Sequence, residues 1–182
     1  MEPAPLLRLA TPTSDDERLK VIARRTSGFV YYVSVAGVTG VKEADAAAVA
    51  PNVERVRKVS GLPVDILPVD KNGVADLGWL AQALEKPGKA LVCLMLANNE
   101  TGVIQPVAEA SKLVRAQDGW LHVDAVQAAG KIAIDFSGLG ADTMALSAHK
   151  LGGPQGVGAL VAGTRATVTR RLHGGGQERG RR

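Results

Sequence analysis

Cysteine and aromatic side chains are scarce in this chain of 182 residues: one Cys, two Trp, two Tyr and two Phe. A single Cys93 excludes an internal disulfide framework. Set between Val92 and Leu94, it reads as a packing residue, because a thiol in apolar surroundings resists ionisation. With so few aromatics the core falls to Val, Leu, Ile and Ala, which suits helices on a buried parallel sheet and argues against an all-β sandwich. Long hydrophobic runs are missing too. The longest, "ALVCLMLA" at 90–97, is far below the roughly 18 residues that span a bilayer and suits a buried strand. The N-terminus lacks a basic segment followed by an apolar stretch, so a cytoplasmic chain is expected.

What is present suffices for one core. Hydrophobic residues make up 46% of the chain, and a single α/β domain over 1–182 is expected. The formal net charge is +4, and much of it lies in the C-terminal "RATVTRRLHGGGQERGRR". Such blocks can meet phosphate backbones. Without interleaved aromatics or a nucleic-acid motif, this one reads as a mobile, solvated basic tail over 163–182. Neither nucleic acid, nor membrane, nor an obligatory partner is expected, and no metal site is read; a homodimer through exposed sheet edges stays open.

The elements alternate regularly. "PLLRLA" reads as a strand, and "TPTSDDERLKVIARRTSG" as a helix with Ser14 at its N-cap, acids in its first turn and Gly28 as its stop. "FVYYVSVAG" is a β-rich run, followed by a helix from about Ala44 to Val59 that ends at Ser60-Gly61. "LPVDILPV" reads as a strand, "DKNG" as a turn, and "ADLGWLAQALEK" as a helix with Leu77, Leu80 and Leu84 on one stripe. The strand "ALVCLMLA", the helix "VAEASKLVRAQ" and the strand "WLHVDA" continue the series. Repeated β-α units predict a three-layer α/β/α sandwich with a mostly parallel sheet and right-handed crossovers. The run "GVGALVAG" follows the strand near Thr143–Ser147 too closely for a crossover of about a dozen residues, so one antiparallel strand is expected near the C-terminus.

Ligands of such sheets bind beyond the carboxyl ends of the strands. That edge should carry "NNETG" (98–102), "DAVQ" (124–127) and "SAHK" (147–150). A neutral lysine amine captures aldehydes. A pyridoxal phosphate site needs that lysine, a carboxylate for the pyridine nitrogen, and hydroxyl or amide donors for the phosphate and phenolic oxygen. Lys150, Asp124, Ser147 and Gln127 supply those groups. Each also has a plain alternative: Asp124 as a cap, Gln127 on a helix surface, Lys150 as a solvated amine.

From about Val64 to Arg182 the chain resembles the cysteine desulfurases and selenocysteine lyases, pyridoxal phosphate enzymes of fold type I, through "MLANNETGVIQP", "HVDAVQAAGK", "ADTMALSAHKLGGPQGVGAL" and "GGGQERGRR". The resemblance implies that Lys150 is the Schiff-base lysine, Asp124 the pyridinium partner and Gln127 the phenolate partner. It further implies Ser147 and His149 as phosphate-side ligands, Asn99 as a substrate-carboxylate contact and His122 in a supporting role. Residues 4–63 resemble the tryptophan synthase α subunit, a TIM barrel, over its fifth and sixth β-α units. "GVTG" at 37–40 matches the loop that approaches the substrate phosphate in that family, which implies Gly37, Thr39 and Gly40 as anion contacts through backbone N–H groups.

Two unrelated families therefore meet near Leu62–Asp65: a barrel-derived β-α-β-α segment over 1–63 and a transferase-derived segment over 64–162. The expectation is an engineered chimeric scaffold in which both pieces share one sheet, with Val64, Ile66 and Leu67 packing across the seam. In the desulfurases the nucleophilic cysteine and the substrate-clamping arginine come after the matched stretch. The phosphate loop and the ring-stacking histidine come before Val64, where barrel sequence stands; none of His122, His149 and His173 falls at the stacking position. The expectation is that native catalysis is lost and Lys150 is a relic, with the cofactor pyridoxal phosphate absent or held only residually. The alternative is a pyridoxal phosphate-dependent desulfurase or selenocysteine lyase-like enzyme.

Overall fold

The structure is a computed structural model that describes residues 8–10, 15–24, 30–32, 46–61 and 64–166. It divides after Ile66 into two compact units. In the first, β1 (Arg8–Ala10) pairs in parallel with β2 (Val30–Tyr32), bringing Arg8 opposite Val30. Helix α1 (Asp16–Arg24) opens with the Asp15 carboxylate accepting the Arg18 N–H at 2.7 Å. The observed cap is thus Asp15, one residue beyond the expected Ser14, which lies outside the described residues. Helix α2 (Ala46–Ser60) stops at Gly61, as its sequence predicts, and Arg55 from it meets Asp16 of α1 at 2.6 Å.

The second unit holds the four-stranded sheet. Its strands are β3 (Leu91–Met95), β4 (Trp120–Asp124), β5 (Thr143–Ser147) and β6 (Gly158–Ala162), adjacent in that order. β3, β4 and β5 run parallel and β6 pairs antiparallel with β5, the mostly parallel α/β arrangement with one reversed strand near the C-terminus that the connection lengths predict. The described strands thus form two sheets, β1 with β2 and β3 to β6, instead of the one common sheet expected. The described part of "LPVDILPV", residues 64–69, also departs from its expectation: it forms only an isolated bridge between Val69 and Ala75. "DKNG" closes as a turn there, with Asp70 Oδ1 accepting the N–H groups of Asn72 and Val74. Leu67 packs against the core of this unit, and Ile66 is exposed.

Helices α3 (Leu77–Leu84), α4 (Val107–Ala116) and the short α5 (Phe136–Leu139) supply the partners of the sheet. The expected α3 stripe is real: Leu80 and Leu84 are buried and Leu77 packs beside them. Asp76 caps the helix by accepting the Trp79 N–H at 2.9 Å. Along β4 the alternation of side chains puts Leu121 and Val123, 1% and 0% exposed, into a core with Val107, Ala110 and Val114 of α4. His122 and Asp124 take the opposite face. That face is open in part, for Leu91 is 44% and Leu160 54% exposed, and Cys93 is exposed where the apolar run predicted burial.

Polar contacts fix the register. The Asp142 carboxylate, buried ahead of β5, accepts the Leu121 N–H at 2.8 Å. Arg165, after β6, lies 3.4 Å from the same carboxylate, donates to the Gly119 carbonyl and stacks 5.7 Å from the Trp120 ring centre. Gly140 turns the chain with φ of +68°, and its carbonyl accepts from Ser111 of α4. A β-carbon there would stand 2.4 Å from the Ser111 hydroxyl, so this position requires glycine. The two-faced sheet predicts contrasting mutants: Leu121→Ala should cost about 2–5 kcal/mol in denaturant unfolding, while Cys93→Ala should stay within about 1 kcal/mol.

Candidate functional site

At the carboxyl edge, β4 ends on Asp124 and β5 ends on Ser147, with Asp124 in register with Ala145. Each strand therefore delivers one polar side chain to the same rim. Asp124 is half-buried, and its Oδ1 accepts the Val126 N–H at 2.9 Å, which turns the chain sharply after the strand. Its Oδ2 has no hydrogen-bond partner among the described residues. Ser147 leads into a 3-10 turn over Ala148–Lys150, and its hydroxyl lies 2.7 Å from His149 Nδ1. Lys150 closes that turn and makes no hydrogen bond or ion pair among the described residues. Asp124, Ser147, His149 and Lys150 thus occupy neighbouring strand ends.

Two further predicted residues, Asn99 and Gln127, share a second setting. Asn98 Oδ1 accepts the N–H groups of Glu100 and Thr101, both at 2.9 Å, and closes "NNETG" into a hairpin tip that carries Asn99. Asn99 Nδ2 donates to Glu100 at 2.6 Å. Gln127 lies in the turn after β4, where its Oε1 accepts from Lys131 Nζ at 2.9 Å. Asn99, Gln127 and Lys131 line one cavity of about 300 Å³, whose wall does not include Asp124, Ser147 or Lys150. Gly37, Thr39 and Gly40 lie outside the described residues.

Beneath the rim, His122 Nδ1 lies 2.8 Å from the Thr143 hydroxyl, its cross-strand neighbour. Burial lowers the His122 pKa, partly opposed by the Asp124 carboxylate. Desolvation pushes the Cys93 thiol up to about 11 even though part of the residue is accessible, so it is protonated at neutral pH. Among the described residues no three His, Cys, Asp or Glu side chains are grouped to hold a metal, and no helix is long and apolar enough to cross a membrane. Two contributors escape the motif reading, Thr143 and Lys131. The cross-strand register identifies the first, and the hydrogen bond to Gln127 identifies the second.

The sequence model of the class-V aminotransferases matches residues 37–180. The chain belongs to this family. The model of the tryptophan synthase alpha chain matches residues 4–67, so the two matches overlap over 37–67, around the junction near residue 63. The chain is 43% identical over 127 residues to a probable mitochondrial cysteine desulfurase of Dictyostelium discoideum, 68% of this chain and 28% of that protein. It is 85% identical over 61 residues to the tryptophan synthase alpha chain of Phenylobacterium zucineum, 34% of this chain and 22% of that protein. Among solved structures it matches a NifS-like protein with a TM-score of 0.62 at 38% identity, over 75% of this chain and 38% of that one. The composition is thus chimeric, a tryptophan synthase alpha segment joined to a cysteine desulfurase segment, and the chain spans less than a third of either curated relative's length.

The lowered His122 pKa has a consequence for stability. A histidine neutral in the folded state, where the unfolded chain already binds a proton, contributes stability that is complete above about pH 6.5 and is lost as pH falls below it. The urea midpoint of the second unit should therefore fall between about pH 7.5 and pH 5.5, and fall less in His122→Gln. Equal losses in both proteins would remove His122 as the cause.

Proposed function

We propose that the chain is a chimeric α/β scaffold presenting the lysine-bearing side of a pyridoxal phosphate site, without desulfurase turnover of its own. The observation that carries this reading is the convergence of Asp124, Ser147, His149 and Lys150 at adjoining strand ends, with Asp124 Oδ2 and the Lys150 amine uncommitted among the described residues. This donor set fits the cofactor. When bound, pyridoxal phosphate supplies an aldehyde for a lysine amine and an electron-withdrawing ring that stabilises carbanionic charge.

The chain's own residues have distinct tasks. Asp124 offers a carboxylate oxygen to hold a proton on the pyridine nitrogen, its other oxygen being fixed by the Val126 N–H. Ser147 and His149, already linked to one another, offer a hydroxyl and a ring nitrogen to an anion. Lys150, carried on the tight turn directly after β5, is set within a few residues of both. Asn99 and Gln127 line a neighbouring cavity, where amide groups suit a carboxylate or a phenolic oxygen.

Desulfuration needs a thiolate nucleophile. Cys93 is the chain's one cysteine, held in mid-strand with its thiol at about 11, so only about one part in ten thousand is ionised at pH 7. A desulfurase-like lyase remains the second reading, favoured by the family match over 37–180. Two measurements separate them. Pyridoxal phosphate added to the chain should give a visible absorbance band that survives desalting and is lost in Lys150→Ala; no such band in a folded protein would sink the first reading. Sulfide release from cysteine should not exceed that of Lys150→Ala, and release above it would establish the second.

A further inference from the structure

Strand β3 stands at one edge of the four-stranded sheet, with β4 as its one strand neighbour among the described residues. The pairing with β4 uses the even-numbered positions: Trp120 N–H donates to the Ala90 carbonyl and Leu96 N–H to the Asp124 carbonyl. Successive residues of a strand turn their N–H and C=O groups to opposite sides, so those of Leu91, Cys93 and Met95 point away from the sheet. Burial marks the same edge. Leu121 and Val123 of β4 are 1% and 0% exposed, whereas Val92 and Leu94, their partners in register, are only half-buried. An apolar strand beside β3 would complete both the ladder and the core.

Natural sheet edges are guarded by charge, proline or a bulge. "LVCLM" has none of the three: it is uncharged, and its register with β4 runs unbroken from Leu91 to Met95. The strand also matches its own copy. An antiparallel pair about a two-fold axis through Cys93 sets Leu91 against Met95, Val92 against Leu94 and Cys93 against Cys93, so that all five residues pair. In that register the outward groups of Leu91, Cys93 and Met95 form the hydrogen-bonded pairs, with Cα atoms about 5.5 Å apart. Val92 and Leu94 then meet on the helix-covered side, and Leu91 and Met95 on the open one. No charge is brought opposite a like charge, for Lys89, the nearest in the chain, lies outside the paired stretch and is held by Asp118 at 2.5 Å. We propose that β3 docks the β3 of a second copy of this chain, in an antiparallel pair centred on Cys93 that joins two sheets into one. This surface is independent of the pyridoxal phosphate reading.

The test uses the full chain. Sedimentation velocity over rising concentration should show the 18.9 kDa chain passing to a dimer, in which the amide protons of Leu91, Cys93 and Met95 exchange more slowly than in the dilute chain. Cys93 is exposed, so polar substitutes suit the position, and Cys93→Ser should leave the dimer intact. Cys93→Lys sets two ammonium groups against each other across the axis and should weaken dimerisation about tenfold or more. Cys93→Glu should do the same, and mixing the two charged variants should restore the dimer. Circular dichroism of each variant, with the exchange pattern of the unaltered chain, separates lost pairing from lost folding. A chain that stays monomeric at every concentration overturns the proposal. So does a dimer that survives both charged variants, or folded variants whose mixing restores nothing, because another surface then holds the copies together. Growth beyond the dimer overturns it too, since that requires a head-to-tail contact such as β3 on β6.

Discussion

Everything at the carboxyl rim depends on the burial of one side of β4. Leu121 and Val123 sit in the core against Val107, Ala110 and Val114, and fully burying a side chain of that size stabilises the fold by roughly 1.5–3 kcal/mol. Because side chains alternate strictly along a strand, the same contact fixes His122 and Asp124 on the opposite face. A slip of one residue would exchange the two sets, placing a carboxylate in the core and leucine at the site. Asp142 guards against that slip at the strand's start, where its buried carboxylate accepts the Leu121 N–H and Arg165 approaches from beyond β6. The packing at one end of the sheet and the chemistry at the other are consequences of one register.

The rim itself is built from local chains of hydrogen bonds. Asp124 bends the chain after β4 through the Val126 N–H, Asn98 closes the hairpin below Asn99, and the Ser147 hydroxyl meets His149 one turn away from Lys150. Each device uses a short polar side chain to satisfy backbone or neighbouring groups that the strand ends would leave open. These side chains are consequently held in place before any ligand arrives, and preorganisation of this kind reduces the ordering cost of binding.

Most of this sheet was legible in the sequence, because apolar runs and connection lengths are local properties. The reversed β6 follows from the few residues between Ser147 and Gly158, and the α3 stripe from the spacing of Leu77, Leu80 and Leu84. Other features depended on information the runs do not contain. "LPVDILPV" has the composition of a strand, but its described residues 64–69 find only a bridge, because a strand needs a neighbour in register as well as β-branched residues. Cys93 looks buried in its apolar run, yet its alternation puts it on the open face. The motif residues were readable one by one, whereas the division of the rim, with Asp124 and Lys150 at strand ends and Asn99 and Gln127 around a cavity, required the fold.

The central claim is that the sheet presents Lys150, and no other lysine, to an aldehyde cofactor beside Asp124. Its most direct test is borohydride reduction of the chain after exposure to pyridoxal phosphate, followed by mass-spectrometric mapping of the modified lysine. The account predicts one dominant pyridoxyl adduct, on Lys150. Adducts spread over exposed lysines such as Lys71, Lys86 and Lys131, with none favoured at Lys150, would contradict it.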